Sequence, residues 1–161
     1  MYNAKEEELL KVPGIGKNYA KIVLDSHKIH DIDKHIEFMI KDNIDIISIK
    51  DEEYPQILKN IYDPPVSLYI RGNKRILNND AIAIIGCREC SQYGKNVAKE
   101  LAYNISKQKI NIVSGLAKGI DSMAHKGTIL AKGKTIAVLG NGLDTIYPAE
   151  NVYLAKEILK N

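Results

Sequence analysis

The chain has 161 residues, which excludes two large domains and allows one domain or a small module joined to part of a larger one. Apolar residues make up 45% and charged residues 27%, a composition that excludes a disordered chain. The net charge of +3 divides into −2 for residues 1–80 and +5 for 81–161, so the second half is compatible with a polyanionic ligand without specifying one.

Residues 1–42 predict a small helical module. Apolar residues at helical spacing flank Pro13-Gly14-Ile15-Gly16, which must form a tight turn, and a further amphipathic helix is expected over 30–41. Backbone amides at a turn between two helices can hold a DNA phosphate, with Gly14, Gly16 and Lys17 as the candidate contacts. A helical hairpin used only for packing is an equally good interpretation.

Residues 43–80 predict a connector that packs on the following segment. Two strands are expected, over 44–49 and 66–71, with a short helix between them that Pro55 opens at its first turn. The pair Pro64-Pro65 ends that helix, and Gly72-Asn73 forms a turn after the second strand.

From residue 81 the pattern changes to strands that alternate with helices. Apolar runs at 82–85, 110–113 and 135–139 are separated by helical stretches, which predicts a β-α-β-α-β order and a parallel sheet covered on both faces. One more helix is expected over 148–160, so about three parallel strands are present and the sheet is incomplete. We therefore predict an α/β fold, with residues 43–161 as one domain whose core is 81–161.

The first strand of this sheet ends at Gly86, followed by Cys87 and Arg88 and then a helix that begins near Gln92. Ligands bind at the carboxyl ends of parallel strands, where a phosphate can approach backbone amides and an arginine can clamp it. A structural turn with a surface arginine is the alternative. The dinucleotide fingerprint Gly-x-Gly-x-x-Gly is absent, which argues against ordinary NAD chemistry.

The second strand ends in a flexible cationic loop over 114–121, which we expect to lie beside the first loop. Its candidate phosphate-binding residues are Ser114, Gly115, Ala117, Lys118 and Gly119. Asp121 is predicted as the N-cap of the next helix, and His125 is expected in its first turn. Alternatively, Ser114 and Asp121 serve only as caps and His125 packs in the core.

The third strand also ends in a glycine-containing loop, with Gly140 and Gly142 as supporting candidates because they permit close backbone approach. Tyr147 either stacks on a base or packs under this loop. Asp144 has no second carboxylate near it in the sequence, so no general acid–base pair is indicated and we predict no enzymatic activity.

Export, membrane insertion and metal binding are not indicated. The longest apolar runs hold about six residues where a membrane helix needs roughly twenty, and residues 1–11 are too acidic for a signal peptide. We expect a cytoplasmic protein with no membrane partner, no cofactor and no metal. Cys87 and Cys90 leave a metal or redox role as minor alternatives, because no second ligand pair stands at zinc spacing.

Three ordered motifs carry a resemblance to a known family: Ile84-Ile85-Gly86-Cys87-Arg88, 112–121 with Ala124-His125, and 135–144 with Tyr147-Pro148. Together with the segments around Tyr54-Pro55 and Asp63-Pro64-Pro65, they resemble the DNA-processing protein DprA/Smf family over roughly residues 5–160. Cys87 departs from the threonine or serine usual in that family. Family members continue well past residue 161, with the surfaces used for dimerisation and for contact with RecA.

The resemblance implies a Rossmann-like domain that binds single-stranded DNA, protects it and loads the RecA recombinase in natural transformation, without covalent chemistry. Arg88 would hold a DNA phosphate with Gly86, and the loop residues 114–119 named above would line the pocket. It also implies a homodimer, through segments absent from this sequence. Two alternatives stay open: a nucleotide-binding sensor or phosphoribohydrolase-like protein, whose glutamate-containing motif is absent here, and an inactive truncated remnant.

Overall fold

A computed structural model of the chain describes residues 4–26 and 32–160. The contacts between Cα atoms divide the chain into two compact units, Met1–Asp42 and Asn43–Asn161. Within the described ranges no helix is long and apolar enough to cross a membrane. The first two residues of the helix predicted over 30–41 lie outside the described residues.

The first unit contains three helices in its described residues: α1 (Glu6–Leu9), α2 (Lys17–Asp25) and α3 (Ile32–Lys41). Leu9 and Ala20 are its buried apolar side chains. The turn between α1 and α2 requires glycine at position 14, where φ is +88°, a value that L-residues with a side chain rarely adopt. The predicted helical module with a tight glycine turn is therefore present in these residues.

The second unit begins with an antiparallel hairpin of β1 (Ile44–Ser48) and β2 (Ser67–Arg71), in which Ile47 lies opposite Leu68. The short helix predicted between these strands is present as a three-residue 3₁₀ helix, Leu58–Asn60, and no α-helix follows Pro55 in this fully described segment. The carbonyl of Tyr54 accepts hydrogen bonds from the side chains of Gln56 and Asn78. Leu58 N–H bonds to the carbonyl of Pro55 instead, so the i to i−4 pattern of an α-helix does not start.

The rest of the second unit forms the predicted β-α-β-α-β arrangement. Its elements are β3 (Ala81–Ala83), α4 (Gln92–Lys107), β4 (Asn111–Ser114), α5 (Ile120–Leu130), β5 (Thr135–Ala137) and α6 (Val152–Lys160). The strands are parallel in the order β3-β4-β5, with Ile82, Ile112 and Thr135 in register. The predicted α/β fold with three parallel strands is confirmed for the described residues.

Helices cover one face of this sheet. Ile84 and Ile112 pack with α4 and α5, and Leu139 packs with α6, whereas the alternate residues Ile85 and Val138 are exposed on the other face. The expectation of helices on both faces is wrong for the described part of the chain. Because the strands follow one another in chain order, both right-handed crossovers return on the same side of the sheet.

The helices lie close together on the covered face. Gly127 of α5 sits against α4, where an added Cβ would lie 3.1 Å from the Cβ of Ala102 and would also meet the carbonyl of Lys99. Ala102, Ala124 and Ile112 form the buried centre between α4, α5 and β4. A second cluster, built from Leu116, Leu154 and Ala155, joins α6 to the sheet edge. This packing brings the segment that follows each strand to one edge of the sheet.

Candidate functional site

Asp121 ties together the two loops that follow β3 and β4, here called the β3 loop (84–91) and the β4 loop (115–119). One oxygen of its carboxylate accepts the N–H of Gly86 at 3.3 Å, and the other accepts the N–H of Gly115 at 3.1 Å. The two loops therefore form one continuous edge, as the sequence predicted from strand ends alone.

Glycine is required where the two loops touch. Gly119 has φ of +80°, and a Cβ at this position would clash with the backbone carbonyl oxygens of Cys87 and Arg88. A Cβ on Gly86 would lie 2.8 Å from the side chain of Ile120. Ile120 N–H also donates to the carbonyl of Cys87 at 3.3 Å, so the β4 loop packs directly on the β3 loop.

The prediction that Asp121 is an N-cap is wrong. Helix α5 begins at Ile120 with Gly119 as its N-cap residue, and the Asp121 carboxylate bonds to the two loops instead. The N–H groups of Gly86 and Gly115 already donate to this carboxylate, so they are not available to bind an anion. Side-chain cations at the edge are consequently better placed to bind an anion than these two amides.

Arg88 and Lys118 supply cations to this edge, one from each loop. Arg88 is exposed and makes no ion pair with any residue in 4–26 or 32–160. The Lys118 ammonium lies 2.7 Å from a carboxylate oxygen of Glu150, and both side chains are about half exposed. The hydrogen bond that Lys118 donates to Glu150 and the negative charge of this carboxylate raise the pKa of Lys118, so the lysine is cationic at neutral pH.

Two predicted site residues lie inside the unit rather than at its surface. Ser114 is 2% exposed, and its hydroxyl donates to the carbonyl of Ile84 at 2.7 Å, which joins β4 to the end of β3. His125 is fully buried, with Nδ1 2.7 Å from Thr135 Oγ1, and burial lowers its pKa to about 4. The alternative in which His125 packs in the core is therefore correct, and its supporting role at the edge is not.

Ala117 lies at the base of the β4 loop, half-buried, with its carbonyl held by two side chains. Ser122 Oγ donates to this carbonyl at 2.5 Å, and Asn151 Nδ2 donates to it at 3.3 Å. Asn151 also donates to the carbonyl of Leu116 at 2.8 Å and lies 2.9 Å from Ser122 Oγ. These contacts fix the backbone immediately before Lys118.

The loop that follows β5, here called the β5 loop (138–148), is exposed at both predicted glycines. Gly140 has open space around it, and a Cβ on Gly142 would lie 2.5 Å from the Asp144 carboxylate. Tyr147 is exposed at the end of this loop and lies near enough to Lys118 to interact with it electrostatically. The interpretation of Tyr147 as a buried packing residue is wrong.

Sequence reasoning missed Glu150, Asn151 and Ser122. All three join either α5 or the 3₁₀ turn Ala149–Asn151, which follows the β5 loop, to the β4 loop through side-chain contacts that span up to 35 positions of sequence. The only sequence signal was their position directly after a strand-end loop or at the start of a helix. That signal does not distinguish a buried amide from an ordinary surface asparagine.

The remaining candidate contacts, Gly14, Gly16 and Lys17, lie in the first unit. Gly14 and Gly16 have no atom within 4 Å of an added Cβ, and Lys17 is the exposed first residue of α2. Cys87 and Cys90 are free thiols, the first exposed and the second half-buried. Within 4–26 and 32–160 no group of three or more His, Cys, Asp or Glu side chains is arranged to hold a metal ion.

Comparison with known proteins places this geometry in a family. The family described as DNA recombination-mediator protein A matches residues 45–161. DNA processing protein DprA of Bacillus subtilis is 44% identical over 119 residues, which cover 73% of this chain and 40% of that protein. Protein Smf of Synechocystis is 32% identical over 162 residues, which cover 98% of this chain and 40% of that protein.

Solved structures agree with this comparison. The structure of DNA processing protein A from Streptococcus pneumoniae superposes with a TM-score of 0.75 at 37% identity, covering 86% of this chain and 48% of that one. The structure of DNA processing protein A from Helicobacter pylori, described by its unique single-stranded DNA binding mode, superposes with a TM-score of 0.64 at 32% identity. This match covers 72% of this chain and 51% of that one. The chain spans about 40% of the length of curated relatives such as the Bacillus protein. On these matches, the chain belongs to the DprA/Smf family of DNA-processing proteins.

Proposed function

We propose that this chain binds single-stranded DNA along the edge formed by the β3 and β4 loops, with Arg88 and Lys118 contacting phosphates. The observation that carries the proposal is the Asp121 carboxylate, which joins two loops that each present an exposed cation. Charged side chains on a preformed edge bind a polyanion without first paying for loop ordering. The binding mode ascribed to the Helicobacter pylori relative supports the same ligand class.

Exposed aromatic side chains support a single strand as the ligand. Tyr93 lies in the first turn of α4, next to the β3 loop, and Tyr147 lies near Lys118. Unpaired bases stack on such rings, whereas the bases of a duplex are already stacked on one another. Phosphate contacts and base stacking together need no base-specific hydrogen bond, so we expect binding that depends little on sequence.

Fluorescence anisotropy of the chain with labelled oligo-dT across a salt series tests this function. Arg88→Ala and Lys118→Ala should each weaken binding, with Arg88→Ala losing about tenfold or more because a charge-assisted contact is removed. Arg88→Ala should also reduce the salt slope by about 0.7. Lys107→Ala is the matched control, since Lys107 ends α4 at the opposite edge of the sheet and should leave the affinity nearly unchanged.

The outcome that contradicts the proposal is equal binding by wild type and both edge variants, or no binding by wild type at the lowest salt. A thermal shift with AMP in the absence of any effect of oligo-dT would favour a nucleotide-binding site instead. Phosphate edges in sheets of this class serve both kinds of ligand, so both probes belong in the same experiment.

The family resemblance also leads us to propose that the bound strand is protected and passed to RecA in the cytoplasm, in an assembly that includes a homodimer. Because this chain spans about 40% of relatives such as the Bacillus protein, these activities are tested separately from DNA binding. Nuclease protection of oligo-dT by the chain, and the rate of RecA filament formation on coated strands, measure them directly. Unchanged nuclease digestion and unchanged filament formation would contradict this extension while leaving DNA binding intact.

A further inference from the structure

The carboxylate of Glu150 forms an ion pair with Lys118, one of the two cations proposed to bind DNA. Its Oε2 lies 2.7 Å from Lys118 Nζ, and the hydrogen bond between them is the main cause of the raised pKa of the lysine. Arg88 makes no such pair with any residue in the described ranges. The two cations of the edge therefore differ: one is free to bind an anion and one already holds a carboxylate.

The backbones on both sides of this ion pair are anchored. Asn151 follows Glu150 directly, is 5% exposed, and donates to the carbonyls of Leu116 and Ala117. Ala117 immediately precedes Lys118, and its carbonyl also accepts from Ser122. The pair consequently joins two segments that are already held together, so its formation costs less conformational entropy than a pair between two mobile loops.

We propose that Glu150 is a competitor for the DNA phosphate at Lys118, so that the strand engages this lysine only by displacing the carboxylate. The inference rests on the proposed function of the edge and identifies the residue that sets its affinity. A carboxylate and a phosphate oxygen both accept from the same ammonium protons, and the second anion is repelled while the first is in place.

The need to displace Glu150 favours the binding of a strand with several phosphates over the binding of an isolated phosphate. An exposed ion pair contributes little stability, so a strand already held at Arg88 can displace it at small cost. An isolated phosphate, by contrast, must compete with a carboxylate held at high effective concentration by the Asn151 anchor. The pair would therefore reject free nucleotides and other small anions while admitting single-stranded DNA.

The test compares Glu150→Gln with Glu157→Gln in the full chain, by anisotropy with labelled oligo-dT across a salt series. Glu157 forms an ion pair with Lys160 at 2.6 Å near the end of α6. Each variant replaces one glutamate by glutamine, so both change the net charge by the same amount. Glu150→Gln should bind about two- to fivefold more tightly than wild type, with a salt slope larger by about 0.7. Glu157→Gln should show less than half of that gain. Glu150→Ala, a second variant that also removes the carboxylate, should behave as Glu150→Gln does.

A double-mutant cycle separates competition at Lys118 from the general effect of charge. In a Lys118→Ala background the gain from Glu150→Gln should fall to that of Glu157→Gln, because the cation that Glu150 occupies is no longer there. A gain that persists in this background, or equal affinities for the two glutamine variants, overturns the proposal while DNA binding stands. Absence of binding by wild type at the lowest salt overturns both the proposed function and this inference.

Discussion

His125 donates the proton on its Nδ1 to Thr135 Oγ1 across 2.7 Å inside the second unit. Thr135 donates its own hydroxyl proton to the carbonyl of Ile112 at 2.8 Å, so its oxygen must act as the acceptor for the imidazole. The other ring nitrogen, Nε2, is buried and has no hydrogen-bond partner. The folded chain therefore holds a neutral imidazole, and protonation would place a charge in a site that cannot solvate it.

We predict that the chain loses stability as the pH falls from about 6.5 to about 4 because of His125. Burial lowers the folded-state pKa of His125 to about 4 from its usual value of 6.5, so the unfolded chain binds more protons in this range. The stabilising contribution is complete above pH 6.5 and amounts to about 3 kcal/mol. Urea denaturation at several pH values measures it.

The variant His125→Asn isolates this effect. Its amide can still donate to Thr135 but does not titrate, so the free energy of unfolding should change less between pH 6.5 and 4 than in wild type. His35→Asn removes an imidazole from an exposed position of α3, leaves His125 in place and serves as the matched control. Parallel pH profiles for wild type and His125→Asn would show that His125 is not the titrating group.

The bonds from Asp121 predict that this carboxylate stabilises the edge as well as the fold. Asp121→Ala leaves the N–H groups of Gly86 and Gly115 without their acceptor, which should lower the free energy of unfolding by about 2–3 kcal/mol. Asp121→Asn retains one carbonyl oxygen and should lose about half as much. Both variants should bind oligo-dT more weakly, since the two cation-bearing loops are no longer held together. Wild-type stability in Asp121→Ala would contradict this role.

Alanine substitutions at Gly119 in the β4 loop and at Gly140 in the β5 loop should have very different effects on stability. Gly119→Ala combines a φ of +80° with a clash against the carbonyls of Cys87 and Arg88, so it should destabilise the chain by more than about 2 kcal/mol. Gly140→Ala meets no atom within 4 Å and should change stability by less than about 0.5 kcal/mol. Thermal unfolding of both variants compares them under one condition. Equal effects would mean that the contact between the β3 and β4 loops is not tight in solution.

The alternation of strands and helices and the location of the edge were predictable from sequence, because both depend on local pattern. Apolar runs alternating with helices define parallel strands, and parallel strands bring their carboxyl ends to one edge. Because the loops after the strands were expected at this edge, the sequence identified Gly86, Gly115 and Gly119 as candidate site residues. The loops and helix starts that carry Arg88 and Lys118 lie where this periodicity locates them.

The partners of individual side chains were not predictable, because they depend on packing between distant segments. Asp121 has the position of a cap, yet its partners are Gly86 and Gly115, one of them 35 residues away. His125 sits one turn further along α5, on the face that packs against the sheet, and a periodicity argument does not separate that face from the ligand edge. The helices lie on one face of the sheet because the crossovers are right-handed and the strands follow one another in chain order. The handedness of a crossover follows a general rule, whereas the order of the strands does not, so the covered face could not be predicted.

The buried side-chain amide of Asn151 connects the 3₁₀ turn Ala149–Asn151, which follows the β5 loop, to the β4 loop. Asn151→Ala removes donors to the carbonyls of Leu116 and Ala117 and should lower the free energy of unfolding by about 2 kcal/mol. Asn151→Asp should cost more, since a carboxylate would face two carbonyl oxygens with no proton to donate. Denaturation in urea distinguishes the two variants.

Asn151→Ala also tests whether the hydrogen bonds from Asn151 order the β4 loop. Amide hydrogen exchange over 115–119 should be faster in Asn151→Ala than in wild type, while exchange in the first unit, which lacks this contact, should not change. Val152→Ala removes a neighbouring exposed side chain of α6 and serves as the matched control. If exchange over 115–119 is the same in all three proteins, Ser122 alone is sufficient to hold the Ala117 carbonyl, and Glu150 meets Lys118 without help from Asn151.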